Sequence, residues 1–251
     1  MTPTEGQEQC SRLRAPITAG RIGRVPSTLR DRVRAEVIAE ITVVARRQLA
    51  EVGAAGLSLR AVAREVGMAS SAVYRYFASR DELLTRLITD GYDALGAAAE
   101  AADDPSAAPR ERWLAVCRAV RSWARAHPHE YALLYGSPVP GYAAPRDTVP
   151  AAARVGVVLG RILGDAARSG TLPDTAGRER DPELVSVETA AVLGGEHPAI
   201  DDAVRVRALL AWSSLYGTVS FELFGHLAGS VADTDRYFDV AMGELTGLLG
   251  L

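Results

Sequence analysis

The 251-residue sequence predicts an all-α fold, on three observations. Apolar residues recur at three- and four-residue spacing through every long segment. No segment alternates apolar and polar residues between turn signals, so strand content should be near zero. Ser or Thr at the start and Gly at the end bracket the N-terminal periodic runs.

Residues 1–26 carry almost no large apolar side chains and include Pro3, Pro16, Gly20, Gly23 and Pro26, so nothing there can pack a core. They read as a flexible arm holding Arg12, Arg14, Arg21 and Arg24, which either follow a polyanion or are solvated. From Ser27 the columns Val33, Val37, Ile41, Val44 and Ile38, Ala45, Leu49 predict a helix, capped by Ser27 or Thr28 and stopped by Gly53. A second helix runs from Ser58 to about Val66 with Leu59, Val62, Ala63 and Val66 on one face, and Gly67 turns the chain. A third, very short one covers about Ser70 to Phe77. Ser79 then caps a fourth that contains Leu83, Leu84, Leu87 and Ile88 and runs towards Ala101.

The stretch Asp103 to Pro109 is a connector, followed by a helix bearing Trp113, Val116, Val120 and Trp123 and another beginning near Pro128. Pro138, Pro140, Pro145 and Pro150 mark an irregular loop, because proline fixes φ and denies a helix its donors. Helix resumes over about Ala151 to Arg168, and polar Gly170 to Asp181 reads as a mobile loop. Two long periodic stretches close the chain, about Ala203 to Ala228 and about Asp233 to Leu249.

Every one of the 28 cationic side chains is arginine, and their placement is uneven. Up to Arg80 there are 13 Arg against 7 acids, net +6, and the remainder is net −9. The asymmetry points to a polyanion partner for the first third only. A hydrophobic content of 48% excludes a disordered chain. No apolar run approaches the roughly 18 residues of a membrane helix, and no signal peptide is indicated, so a cytoplasmic protein without a membrane partner is expected. Cys10 and Cys117 form neither a disulfide framework nor a zinc cluster. His127-Pro128-His129-Glu130 lacks the spacing of a helical histidine pair and reads as a helix start. With no metal site, nucleophile elbow, phosphate loop or dinucleotide fingerprint, neither cofactor nor enzymatic activity is expected.

Short helix, glycine turn, short helix is the arrangement that braces one helix on a DNA backbone while the next enters the major groove. Ala63 permits close approach, and Val62, Val66, Val73 and Phe77 form the buried seam. Ser70, Ser71, Arg75 and Tyr76 then face outward. A plain helical hairpin explains the apolar positions equally well, but not this density of Ser, Tyr and Arg.

The run from Ser58 to Phe77, SLRAVAREVGMASSAVYRYF, followed by Ser79-Arg80-Asp81-Glu82-Leu83-Leu84, resembles the DNA-binding domain of TetR-family transcriptional regulators over about Thr28 to Leu84. In the C-terminal part, Ala211-Trp212-Ser213-Ser214-Leu215-Tyr216-Gly217 with Leu223-Phe224-Gly225-His226 is similar to the Trp-His-Gly signature of one C-terminal class in that family, with Tyr216 where the signature has His. The resemblance implies a helix-turn-helix DNA-binding domain over 27–78 and a helical ligand-binding and dimerisation domain over 79–251. It implies that Ser58, Tyr74, Tyr76 and Arg80 hold phosphates and that Arg60, Ser70, Ser71, Ala72 and Arg75 face base edges in double-stranded operator DNA.

It also implies a homodimer paired through the last two helices. The candidate interface is Leu215, Val219, Phe221 and Phe224 with Phe238, Met242, Leu245 and Leu249. Trp113, Trp123, Tyr131, Tyr135, Tyr142 and Tyr216 are candidate walls of a small-molecule effector cavity, against the alternative of plain core packing. The function expected is a ligand-responsive repressor on a palindromic operator. The competing reading is a helical small-molecule-binding or interaction protein without operator binding.

Overall fold

The computed structural model describes residues 28–172, 184–193 and 200–251, which form ten α-helices and one 3-10 turn and no strand. The expected arm at 1–26, with Cys10, lies outside the described residues, as does most of the expected loop at 170–181. The chain divides into two units, Met1–Ala39 and Glu40–Leu251.

The described part of the first unit is the beginning of α1 (Leu29–Gly56), where the Asp31 amide donates to Thr28 Oγ1 at 3.1 Å in a side-chain cap. In the second unit α1 continues to a break at Gly53 (φ 68°, ψ 173°), at the expected stop. Next come α2 (Leu59–Glu65), α3 (Ser70–Val73) and α4 (Arg80–Ala102). The Ser79 hydroxyl accepts from the Glu82 amide at 3.1 Å while the Glu82 carboxylate accepts from the Ala78 amide, a reciprocal cap that fixes where α4 begins. After it come α5 (Pro109–Ala126) and α6 (Pro128–Tyr135), each with proline in its first turn, where a missing N–H costs nothing. His127 joins them, its ring stacked on Trp123. The proline-rich loop holds a 3-10 turn at Arg146–Thr148 ahead of α7 (Val149–Arg168). The short α8 (Val187–Val192), absent from the sequence reading, precedes α9 (Asp202–Leu223) and α10 (Thr234–Leu249).

Two elements end earlier than their periodicity suggests. The third helix stops at Val73, because Arg75 and Tyr76 amides bond three residues back, tightening the chain out of α geometry. The penultimate helix ends at Leu223 rather than Ala228, where the His226 amide returns to the Phe221 carbonyl and Gly225 takes a left-handed φ of 79°.

One buried apolar cluster joins α4, α5, α6, α7, α9 and α10, with Leu95, Trp113, Val120, Tyr131, Leu159, Ile162, Leu215 and Phe238 at its centre. Within this packing sits a charged group. Arg112 is buried and donates to both carboxylate oxygens of Asp103 (2.6 and 3.1 Å) and to Asp165 (2.7 Å), while Arg161 closes on Asp103 from outside at 2.7 Å. It ties the C-cap of α4 to α5 and α7. Burial alone would raise the Asp103 pKa, but the Arg112 and Arg161 guanidiniums hold it below the usual carboxylate value.

A depressed folded pKa contributes stability above the unfolded value of about 4, and that stability is lost as pH falls through the folded one. The melting temperature should therefore drop as pH falls below about 4. Asp103→Asn, which leaves the buried Arg112 guanidinium with Asp165 as its remaining carboxylate partner, should cost about 1–3 kcal/mol at neutral pH. Thermal denaturation across pH for both proteins checks this, and an Asn variant as stable as the parent would remove the group from any structural role.

Candidate nucleic-acid interface

Ser58 stands at the N-terminus of α2 in an extended conformation, its hydroxyl accepting from the Ala61 amide at 3.5 Å. At the other end Gly67 has φ 76°. Its amide bonds the Arg64 carbonyl while the Met68 amide bonds Ala63, a Schellman closure that requires a left-handed residue. Leu59, Val62, Ala63, Val73 and Phe77 are buried behind this turn. Glu65 accepts from Gln48 at 3.2 Å and pairs with Arg47, so α2 is fixed to α1. Those two hydrogen bonds, Gln48's first, hold its carboxyl below the usual range.

The side of α2 and α3 away from this seam carries Arg60, Ser70, Ser71, Tyr74 and Arg75, all exposed, with Ala72, Tyr76 and Ser58 half-buried at its edge. All nine expected DNA-facing residues are therefore described, and eight of them lie on α2 with its N-cap, on α3 or in the turn that follows it. Arg80 has a task that sequence reasoning missed. Its guanidinium donates to the carbonyls of Leu57 (3.0 Å), Ala54 (2.6 Å) and Ala55 (3.2 Å), gripping the carbonyl end of α1 from the start of α4.

The expected aromatic walls separate into core and cavity. Trp113, Trp123 and Tyr131 are core residues, at 1%, 8% and 0% exposure, and this corrects their assignment to a cavity. The Tyr131 hydroxyl donates to the Tyr216 carbonyl at 3.0 Å and meets Ser220 Oγ at 3.0 Å, and burial pushes its pKa up to about 12. Tyr216 is also buried, stacked on Tyr135 with ring centroids 4.2 Å apart. These rings pack on one another, and the space lies to one side of them. A cleft of about 610 Å³ is lined by Ile88, Tyr92, Leu134, Tyr142, Val192 and Trp212 among others, so Tyr142 alone of the six expected residues borders it. The signals that pointed to the missed residues are Tyr92, one turn beyond Ile88 on α4, and Trp212 at the head of the C-terminal motif.

The expected pairing face needs a similar correction. Leu215, Val219, Phe238, Met242 and Leu249 are buried within the chain itself, at 0–1% exposure, and have no surface left to give a partner. Leu245 is partly buried against the same core. Phe221 and Phe224 are 54% and 43% exposed, and Leu210, Tyr237, Val240 and Leu248 join them as exposed apolar residues of α9 and α10. Arg121, beneath this surface, grips Glu222 through two 2.7 Å bonds, reaches Asp235 at 2.7 Å and lies over the Phe238 ring. Arg118 and Arg125 are exposed and paired with Asp239 and Asp235.

Replacing Arg80 with Ala removes three charge-assisted bonds to the end of α1. The half-exposed site should lose about 1–3 kcal/mol and several degrees of melting temperature. Calorimetry on the variant checks this; an unchanged transition would show that the grip holds nothing.

A family model described as bacterial regulatory proteins of the TetR family matches residues 41–87, and one described as a tetracyclin repressor-like C-terminal domain matches 113–245. The chain is 40% identical over 226 residues to the HTH-type transcriptional regulators Rv1816 of Mycobacterium tuberculosis and Mb1846 of Mycobacterium bovis, covering 86% of this chain and 93% of each relative. Among solved structures, SCO4313, described as a regulatory protein, superposes with a TM-score of 0.68 at 35% identity, over 88% of this chain and all of that one. A Rhodococcus protein of unknown function does so at 0.66 and 27%, over 86% and 96%. No helix among the described residues is long and apolar enough to cross a membrane. Matched by family models across both its helix-turn-helix and its C-terminal helices, this chain belongs to the TetR family of DNA-binding transcriptional regulators.

Proposed function

We propose that this regulator is a repressor that binds a palindromic operator as a homodimer and is released by a small molecule. The observation that carries the reading is the exposed strip of Arg60, Ser70, Ser71, Tyr74 and Arg75 on two helices locked by Gly67. Within it Arg60, Ser70, Ser71, Ala72 and Arg75 read base edges, and Ser58, Tyr74 and Tyr76 hold phosphates. Arg80 contributes mainly by holding the reading helices in place. In this proposal the DNA-binding head is 27–78, the effector and pairing part is 79–251, and the whole works in the cytoplasm.

Release by a ligand is supported by the position of the cleft. Leu133, Ser137, Pro138 and Val139 line it on one side and on the other line a smaller cavity of about 410 Å³ against Val52, Gly53 and Ala54. That stretch of α1 supplies carbonyls to Arg80. A ligand that binds better with this shared wall displaced shifts the population away from the DNA-reading arrangement by its differential affinity. Pairing is supported by the apolar surface around Phe221, Phe224 and Val240, since two-fold symmetry matches a palindromic site.

A gel shift with DNA upstream of the protein's own gene tests operator binding. Arg75→Ala should lose about 1–3 kcal/mol on the cognate site and relax preference at one base pair. No retarded band at low salt would favour the reading without operator binding. For pairing, Phe221→Glu with Phe224→Glu should leave a monomer in sedimentation velocity, and a dimer mass in that variant would put the interface elsewhere.

A further inference from the structure

The reading of the cleft as an effector site leaves the chemistry of the effector open, and its walls narrow that chemistry. The cleft has mostly apolar walls and is of the size that holds a drug-sized organic molecule. Glu188 is the one charged side chain lining it among the described residues, and it makes no ion pair among them. No Arg or His among the described residues lines it.

Two of the neutral polar groups lean the same way. The Tyr92 hydroxyl donates to the Leu134 carbonyl at 3.5 Å and the Thr148 hydroxyl donates to the Pro145 carbonyl at 2.8 Å, so each offers a ligand only lone pairs. Burial raises the Tyr92 pKa, so this phenol stays neutral. Tyr142 is held by its hydroxyl against Thr85 Oγ1 at 2.9 Å, and Trp212 is the third aromatic side chain of the lining. Ring faces attract cations through their quadrupole, most strongly when water is excluded. An anionic ligand would meet Glu188 and no Arg or His among the described lining residues, at the desolvation cost of an unpaired charge.

We propose that the effector is an apolar organic cation, a lipophilic amine or quaternary ammonium, whose charge sits against Glu188 and whose hydrocarbon or aromatic body fills the cleft beside Tyr92, Tyr142 and Trp212. This rests on the effector-site reading given above.

Three probes of one shape separate charge from bulk: diphenylbutylamine, the corresponding alcohol and the corresponding carboxylic acid, titrated into the full-length protein by calorimetry at neutral pH. The amine should bind at least tenfold more tightly than the alcohol, and the acid more weakly than both. Glu188→Gln should bring the amine to within about threefold of the alcohol while leaving the alcohol unchanged, a neutral isostere having removed only the charge. Ala153→Trp, which fills the cleft, should abolish binding of all three. If the alcohol or the acid matches the amine, or Glu188→Gln keeps the amine preference, the cation assignment falls and the effector site stands. If binding survives Ala153→Trp, or no probe binds the parent protein, the effector-site reading falls and the inference with it.

Discussion

The contact between Arg80 and the carbonyl end of α1 is the point on which the arrangement of the second unit turns. Helix α4 begins at that contact, passes Ile88 and Tyr92 at the cleft, and ends at Asp103 under Arg112. A helix of 23 residues is about 35 Å long and bends little, so its two ends are mechanically one object. The Arg80 contact, the cleft and the apolar core each touch a different part of that rod.

The chain uses arginine for two opposite purposes. Downstream of the head, Arg112, Arg121, Arg154 and Arg161 close on carboxylates and tie helices together, which consumes their charge. In the head, Arg60 points to solvent and makes no ion pair among the described residues. The net charge of −3 is therefore the sum of +6 up to Arg80 and −9 beyond it. The acidic surplus of the body opposes DNA approach from any other side.

Helix positions were legible from spacing because each helix must bury a stripe: Val62 and Val73 fall on the seam, and Ser79 starts α4 as its side chain demands. Helix partners were less legible. Leu215, Val219, Phe238 and Met242 form a stripe of the kind an interface presents, yet α9 and α10 spend it on α5 and on each other. Periodicity fixes a face and says nothing of which neighbour covers it. The aromatic residues misled for the same reason, since Trp113 and Tyr131 are as apolar in a packed core as beside a cavity. Arg80 escaped because backbone carbonyls at a helix end leave no mark in side-chain pattern. Glu188 escaped because α8 is too short to have a period.

Tyr216 stands where the related C-terminal signature has histidine, and burial, with Tyr131 and Tyr92 nearby, raises its pKa further above an already high phenol value. A histidine's ordinary pKa lies near neutrality, where a change of surroundings alters its charge. The phenol gives up that responsiveness. The ring ladder of Tyr131, Tyr135 and Tyr216 therefore keeps one protonation state on both sides of neutrality, and mild acidification leaves its packing and its hydrogen bonds as they are.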